Sequence, residues 1–293
     1  MSKEKGVCFF AYNNEQIDYI KLAILAAAHV KKHLNVPVTV ITDEGTYSWL
    51  KSSHDIGKSS KYIDDVVITE DEMQTNPRKH WDSPWSSFNA PFLNGNKHKI
   101  WKYSPYEKTL LLDIDYMVRN DFLNHSWDQY TGVCMYSQAC DLRNELPGSR
   151  ERFLFDAGIP MWWSTVVYFD RTEVSKLFFD MWEHISENYD YYQYLYNFPG
   201  KLFRTDYCVS IATHILNGMV SGDHINSFPN QLINMDQKDD IVEVRDNSEW
   251  IMLSNDTNEK WKNILVNNKS LDVHCMNKRA IDRHYDKIME TVK

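Results

Sequence analysis

The sequence lacks the features that define several protein classes. No apolar run approaches the ~18 residues that a membrane-spanning helix requires, and Met-Ser-Lys-Glu-Lys at the N-terminus has no apolar signal-peptide core. The five cysteines are an odd number, widely scattered and without a Cys-x-x-Cys pair, so neither a disulfide framework nor a thiolate zinc site is indicated. Internal repeats, low-complexity tracts and linkers are also missing. We therefore expect a cytoplasmic protein with no membrane partner.

Positive charge is in short supply as well. The 293 residues include 32 Lys and Arg against 41 Asp and Glu, a formal charge of −9. This balance excludes a protein whose whole surface binds nucleic acid, but it leaves room for local basic patches. Two such patches are present, at 97–102 and in the tail from Lys278 to Lys287. They could contact the phosphates of a nucleotide or polynucleotide, or they are ordinary solvated faces.

What the chain has is enough apolar material for a core, and many aromatic rings. Hydrophobic residues make up 43%, and aromatic residues 14%, with 10 Trp and 17 Tyr. Amphipathic rings stack on flat ligands such as bases and sugars, but they also fill large cores. Both interpretations stay open from composition alone. The length and the missing linker favour one domain, 1–293.

The N-terminal part predicts a strand–helix–strand unit with parallel strands. Val7–Phe10 and Val38–Ile41 are short apolar runs, and residues 15–33 between them carry apolar side chains at helical spacing. Ligands of such sheets bind at the carboxyl ends of the strands. The positions that follow the two strands are Ala11, Tyr12, Asn13 and Asp43. Their alternative is turn chemistry, which also favours Asn and Asp.

Further elements follow the same reasoning. We expect strands at Val66–Ile68, Thr109–Leu112, Gly132–Tyr136 and Thr165–Phe169, and helices at 172–189, 206–217 and 278–293. The segment 73–105, with three prolines, is predicted to be a long irregular loop beside the ligand. His29 and His33, four residues apart on a predicted helix beside Lys31 and Lys32, are interpreted as surface histidines.

Asp113 and Asp115 stand at the carboxyl end of the apolar strand Thr109–Leu112. Residues i and i+2 of an extended chain share a face, with Cα atoms on the order of 6–7 Å apart. Two carboxylates so placed suit Mg²⁺ or Mn²⁺ that carries phosphate oxygens. The alternative is a pair of solvated acids.

The run from Pro105 to Asp115, followed by Val118 and Asp121, resembles the metal-binding segment of GT-A glycosyltransferases. The similarity is to the family 8 type and its bacteriophage-encoded relatives. Further segments resemble that family in the same order along the chain: 9–13, 159–169, 204–207 and 273–278. The resemblance implies a single-domain, Rossmann-like GT-A α/β fold with a mixed, mostly parallel central sheet flanked by helices. It also implies a nucleotide-binding part at about 1–125, an acceptor part at about 126–275 and a basic C-terminal helix at 278–293.

The resemblance assigns roles residue by residue. It implies a metal, Mn²⁺ or Mg²⁺, held by Asp113, Asp115 and His274. The donor, a UDP-sugar, would contact Ala11, Tyr12, Asn13, Asp43, Lys97, Asp113, Ile114, Asp115, His274 and Lys278. Catalysis would involve Asp206, Lys97 and Lys278, with Lys99 as the competitor for the role of Lys97. The acceptor would meet Trp162, Trp163, Ser164, Trp85 and Arg204. The family usually has Asn and Gly where Trp163, Ser164 and Thr165 stand here, so sugar specificity does not carry over.

The implied reaction is transfer of a sugar to an acceptor hydroxyl, with retention if the likeness extends to stereochemistry. The phage-type resemblance favours hydroxymethylcytosine in DNA as acceptor, in a host cytoplasm, over a protein, glycan or lipid-linked acceptor. A metal-dependent phosphotransferase or nuclease, and a non-catalytic nucleotide- or carbohydrate-binding module, remain alternatives. Each residue also has a structural alternative: His274 as a core histidine, Lys278 as a surface lysine and Asp206 as a helix N-terminal acid.

Overall fold

The computed structural model describes residues 3–53, 61–70, 76–93, 95–146, 152–198, 202–256 and 263–292. Its strands are β1 (Lys3–Phe10), β2 (Val38–Thr42), β3 (Asp65–Ile68), β4 (Asn76–Ser83), β5 (Ser86–Phe92), β6 (Tyr106–Leu112), β7 (Tyr116–Met117), β8 (Val133–Tyr136), β9 (Ala139–Asp141), β10 (Phe153–Leu154), β11 (Ile159–Pro160), β12 (Trp163–Asp170), β13 (Asn226–Ser227), β14 (Leu232–Met235), β15 (Asp240–Val244), β16 (Trp250–Ser254), β17 (Ile264–Asn268) and β18 (Val273–Cys275). The α-helices are α1 (Tyr19–His33), α2 (Glu44–Ser53), α3 (Ile100–Tyr103), α4 (Ser126–Gln129), α5 (Glu173–Glu187), α6 (Tyr189–Tyr196), α7 (Thr205–Leu216), α8 (Lys278–Arg283) and α9 (Tyr285–Val292).

A seven-stranded sheet forms the centre, in the order β13-β8-β12-β6-β1-β2-β3. The strands β3, β2, β1 and β6 run parallel, β12 is antiparallel to both of its neighbours, and β13 is parallel to β8. The predicted fold class, a mixed and mostly parallel sheet flanked by helices, is confirmed. The parallel strands place the carboxyl ends of β1, β2 and β6 at one edge of the sheet.

Both faces of this sheet are buried, which explains its near-continuous apolar strands. Alternate residues of β6 belong to different hydrophobic clusters: Leu110 and Leu112 pack on one side, and Leu111 on the other. The first cluster is covered by α1, and the second includes the inner face of α5, with Phe178 and Trp182. The site acids that follow β6 are therefore anchored by a strand buried on both faces.

Helix α1 begins after Asp18, whose carboxylate accepts a hydrogen bond from the backbone N–H of Lys21. It is buried over nearly its whole length because the central sheet lies on one side and α9 on the other. His29 is buried within it and its Nδ1 bonds the carbonyl of Val118. The interpretation of His29 as a surface residue is therefore wrong.

A second sheet of four short strands, in the order β7-β18-β14-β9, lies beyond the end of β6. Strand β18 is antiparallel to β7 and parallel to β14. In this pairing His274 lies opposite Tyr116 on one side and Asn234 on the other. This sheet brings the late histidine back to the acids that follow β6.

Two predictions about local structure are corrected. The segment 73–105 is not irregular where it is described, because 76–92 form the antiparallel hairpin β4–β5 and 97–103 form short helical turns. The predicted C-terminal basic helix 278–293 is two helices, α8 and α9, that meet at His284. Among the described residues, we find no helix that combines the length and the apolar composition needed to cross a bilayer.

Candidate active site

One cavity opens at the carboxyl edge of the central sheet. Its floor includes Leu112, Asp113, Ile114 and Asp115 at the end of β6. The N–H of Asp113 donates to the carbonyl of Thr165 in the neighbouring strand β12 (2.9 Å), so the first acid is still held by the sheet. The backbone turns immediately afterwards, where the N–H of Tyr116 donates to the carbonyl of Asp113. The site acids thus have a fixed backbone.

Lys97 is the basic residue that accompanies Asp113. Its ammonium donates to Asp113 Oδ1 (2.6 Å) and to the backbone carbonyl of Ser164. The lysine side chain is only 6% exposed, whereas that of Asp113 is 33% exposed. Lys97 therefore fixes one oxygen of Asp113 from within the protein while the carboxylate still faces the cavity. The competing candidate, Lys99, does not line the cavity.

Asp115 is buried and has two basic neighbours, Lys278 and His274. Lys278 Nζ lies 2.6 Å from Asp115 Oδ2, and His274 Nε2 lies 3.4 Å from Oδ1. Burial by itself would raise the pKa of Asp115, but Lys278 and His274 hold it well below the ordinary value for an aspartate. Lys278 keeps a raised pKa, because Asp115 outweighs the effect of burial. Both groups are therefore charged at neutral pH.

His274 is oriented by Asn234. His274 Nδ1 lies 3.0 Å from Asn234 Oδ1, an acceptor, so the proton belongs on Nδ1 and Nε2 faces the acids. An outer partner of this kind is a regular feature of metal-ligating histidines. The sequence contained no signal for Asn234, because its role depends on the pairing of β14 with β18.

The donor set fits a divalent cation. One ligand atom each from Asp113, Asp115 and His274 lie within 4.8 Å of one another. Two carboxylates and an imidazole nitrogen suit a borderline cation such as Mn²⁺, and the carboxylates also suit Mg²⁺. The family resemblance predicts that these three residues form one site, and in the structure their side chains lie close together.

Asp206 lines the same cavity, in the first turn of α7. Its Oδ1 accepts from the N–H of Ser164 (3.1 Å) and from the Ser164 hydroxyl (3.0 Å), and its Oδ2 faces Arg204 at 3.2 Å. Burial would raise the pKa of Asp206, but Arg204, the Ser164 N–H and Lys97 lower it below the ordinary value. The carboxylate is ionised and held in place.

The hairpin β4–β5 supplies cavity residues that the sequence did not reveal. Arg78, His80 and Phe92 line the cavity from this side. His80 stacks on Phe88 with ring centroids 5.4 Å apart, and burial followed by Lys278 and Arg78 lowers its pKa to about 4. It is therefore neutral at physiological pH. Other lining residues outside the predicted set include Tyr19, Phe203, Gln237 and Met276.

Some predicted residues stand apart from this cavity. Tyr12, Trp163, Ser164 and Arg204 line it, as do the metal and catalytic candidates, but Ala11, Asn13, Asp43, Trp162 and Trp85 do not. The last of these is 70% exposed in the turn of the hairpin.

The two turn residues are occupied by local structure. Asn13 Oδ1 accepts from the N–H of Ile20 at the start of α1, and Asp43 Oδ1 accepts from the N–H of Thr46. Their contacts are those of the turn-chemistry alternative. Their part in donor binding stays a prediction.

No protein-family model matches the sequence, and no curated protein matches it. Solved structures do match. The glycosyltransferase GlyE of Streptococcus pneumoniae TIGR4 is 14% identical with a TM-score of 0.43, over 78% of this chain and 46% of GlyE. The galactosyltransferase LgtC, in complex with donor and acceptor sugar analogues, is 17% identical (TM-score 0.43; 75% of this chain, 72% of LgtC). Mouse xyloside xylosyltransferase 1 is 12% identical (TM-score 0.40; 74% and 84%).

This chain spans about half the length of GlyE. At these identities and TM-scores the likeness supports no conclusion about the activity of this chain.

Proposed function

We propose that the chain is a metal-dependent glycosyltransferase that moves a sugar from a nucleotide-diphosphate donor, a UDP-sugar, to an acceptor hydroxyl. The observation that carries this proposal is the convergence of Asp113, Asp115 and His274 within 4.8 Å at the carboxyl edge of the sheet. Lys97 and Lys278 pair with the two acids, and Asp206 lines the same cavity. The proposal agrees with the resemblance that the order of motifs along the chain implies.

The metal and the lysines would act on the diphosphate. Asp113, Asp115 and His274 would hold Mn²⁺ or Mg²⁺, which offsets the charge of the departing diphosphate when bound. Lys97 keeps Asp113 in position through its two contacts. Lys278 lies beside the same metal site, where its ammonium stabilises negative charge that develops on the leaving group.

Asp206 would bind the sugar. Its carboxylate accepts hydrogen bonds from Ser164 and pairs with Arg204, which together fix its orientation toward the cavity. An ionised acid of this kind accepts hydrogen bonds from sugar hydroxyls. Tyr12 and Trp163 provide aromatic walls in the cavity for the donor and acceptor.

The charged surface of the protein bears on the choice of acceptor. Hydroxymethylcytosine in DNA requires cationic surfaces for phosphate. In the C-terminal patch, however, Arg283 is paired with Asp82 and Asp240, and Lys287 with Asp246. These pairs leave less free charge for DNA and favour a protein, glycan or lipid-linked acceptor. Incubation with labelled UDP-sugars and hydroxymethylcytosine DNA tests the DNA acceptor: no nucleoside mass shift with any sugar would exclude it.

The donor is tested by thermal unfolding with UDP, with and without Mn²⁺. We expect UDP with Mn²⁺ to raise the unfolding temperature of the wild type, and chelation of the metal to abolish the effect. Asp113→Asn should lose the effect, because the substitution removes one anionic ligand at a position that is 33% exposed. Asp128→Asn, the same change at an exposed acid in α4, should behave like the wild type.

The outcomes separate the other classes of function. A phosphotransferase or nuclease would hydrolyse a phosphate ester and give no shift with UDP and Mn²⁺. A non-catalytic binding module would keep its ligand in Asp113→Asn. Release of the sugar from a UDP-sugar by the wild type, lost in the folded variant, would support glycosyl transfer over both.

A further inference from the structure

The hairpin β4–β5 directs one face toward the cavity. Residues two apart along an extended strand share a face, and both Arg78 and His80 line the cavity. Lys79, between them, is exposed on the other face, where its ammonium lies 4.2 Å from the ring centroid of Trp81. The hairpin is anchored to the rest of the protein by Asn277, which donates to the carbonyl of Asp82 (3.2 Å). Arg78 is therefore presented to the cavity by a fixed element.

The guanidinium of Arg78 has an unusual environment. It lies over the ring of Phe92, 5.0 Å from the centroid, and Lys278 Nζ is 5.9 Å from the same centroid. Burial is the largest influence on the pKa of Arg78 and lowers it, the positive charge of Arg204 lowers it further, and Asp206 and Asp115 raise it. Arg78 thus shares the cavity with the acid of the metal site and the acid proposed to bind the sugar, and it is near enough to feel the charge of both.

Arg78 differs from the other cations of the cavity in having no carboxylate partner among the described residues. The other three cations of the cavity wall each pair with one carboxylate: Lys97 with Asp113, Lys278 with Asp115 and Arg204 with Asp206. Within the part of the chain that the structure describes, no carboxylate lies within ion-pair distance of Arg78.

Binding of a divalent cation with the diphosphate of the donor adds no net negative charge that could pair with Arg78. A divalent cation and the diphosphate of a nucleotide sugar carry equal and opposite charge, so they cancel each other. The nearby His80 adds no charge at neutral pH. A half-buried guanidinium without an anionic partner is costly, and a ligand that supplies the anion recovers that cost.

We infer that Arg78 binds a carboxylate on the transferred sugar, so that the donor is a nucleotide-diphosphate uronic acid. This inference rests on the proposed function and names the class of its donor. The planar guanidinium forms two parallel hydrogen bonds with a carboxylate, a pairing that a neutral hydroxymethyl group cannot make. Arg78 lines the same cavity as Asp115 and Asp206, so a donor whose diphosphate meets the metal and whose hydroxyls meet Asp206 would bring its sugar into the cavity that Arg78 lines.

Calorimetric titration in Mn²⁺ tests the inference by binding alone. The ligands are UDP, UDP-glucose with UDP-glucuronate, and UDP-galactose with UDP-galacturonate. We expect the wild type to bind at least one acid ten times more tightly than its neutral counterpart, since a charge-assisted pair is worth at least a factor of ten. Arg78→Gln should abolish this ratio, Arg78→Lys should keep part of it, and Lys79→Gln should keep all of it.

Failure of the inference about Arg78 and failure of the proposed function give different binding results. Equal affinity of the wild type for acid and neutral donors, with UDP still bound, would overturn the inference and leave the proposed function standing. An equal loss for UDP and for every donor in folded Arg78→Gln would assign Arg78 to the diphosphate and would also overturn it. Absence of UDP binding to the wild type would overturn the proposed function and, with it, the inference.

Discussion

Oδ1 of Asp115 and Nε2 of His274 lie 3.4 Å apart although the two residues come from distant parts of the chain. The backbone sets this distance, because the N–H of Cys275 donates to the carbonyl of Asp115 (2.8 Å) and β18 pairs with β7 directly afterwards. Both side chains are nearly buried. The pair is therefore already positioned, and the cation that we propose for this site would pay little for ordering these two ligands.

We predict that His274→Gln weakens Mn²⁺ binding at least tenfold. Glutamine keeps a polar group near Asn234 but cannot replace the imidazole nitrogen that faces Asp115. Calorimetric titration of Mn²⁺ into the protein measures the change. His125→Gln, the same substitution at an exposed histidine, should bind Mn²⁺ like the wild type. Equal affinities in all three proteins would remove His274 from the ligand set.

The sequence indicates Asp113 and Asp115 as candidates because their signal is local. Asp113 and Asp115 directly follow a fully apolar strand, and parallel sheets collect ligand groups at that edge. The hairpin residues Arg78 and His80 carry no such signal. Strand β4 lacks a period-two apolar pattern, and each strand contains a proline, Pro77 or Pro91, which is tolerated only away from the centre of a sheet. In β5, Phe88, Ala90 and Phe92 do alternate, and this is a strand signal that could have indicated the hairpin.

Tertiary contacts decided other elements. Strands β14 and β18 are only four and three residues long, so their apolar runs are too short to predict them. They form because neighbouring strands supply hydrogen-bond partners. For Asn13 and Asp43, the position after a strand predicts a role in binding. Their contacts in the structure are with the start of a helix and within a turn.

We predict that Asp206→Asn lowers turnover on the order of a hundredfold and leaves UDP affinity within about twofold. Asparagine can still accept from Ser164, but it lacks the charge that pairs with Arg204 and that attracts sugar hydroxyls. Steady-state kinetics with a UDP-sugar, combined with UDP titration, separates the two effects.

The control for Asp206 is Asp190→Asn. Asp190 is also the acid in the first turn of its helix, α6, and it is exposed. Both substitutions remove a charge that favours a helix N-terminus, and Asp206→Asn also removes the anionic partner of Arg204, so its turnover is compared with that of Asp190→Asn under conditions where both variants are folded. Equal turnover in the two variants would support the helix-terminus alternative for Asp206.

We predict that Gly6→Ala destabilises the fold by about 1–3 kcal/mol or more. A Cβ at Gly6 would lie 2.3 Å from the ring of Tyr106, in the neighbouring strand β6. The ring has little freedom to move, because its hydroxyl is 2.8 Å from Thr39 Oγ1. Urea unfolding measures the loss of stability.

A double-mutant cycle tests whether the Tyr106 ring causes this loss. Gly6→Ala should cost much less in a Tyr106→Leu background, since the smaller side chain removes the contact. An equal cost in both backgrounds would assign the effect to the strand backbone.

We predict that His29 makes the stability of the folded protein depend on pH. Burial, followed by the nearby charge of Arg119, lowers the pKa of His29 from 6.5 to about 3 in the folded protein. As the pH falls below 6.5, the unfolded chain takes up this proton before the folded one does. The stability that His29 contributes is therefore complete above pH 6.5 and is lost progressively down to about pH 3, by at most roughly 5 kcal/mol.

His29→Asn isolates this contribution. Asparagine offers a donor to the carbonyl of Val118, which His29 Nδ1 contacts at 2.9 Å, but it does not titrate. Urea unfolding of both proteins at intervals between pH 7 and pH 4 gives the difference in unfolding free energy. Buried acids that change stability in the opposite direction, such as Asp272 with a pKa raised by burial to about 7, contribute equally to both proteins and cancel. The wild type should lose its advantage over the variant as the pH falls, and a difference that stays constant over this range would show that His29 is not protonated on unfolding.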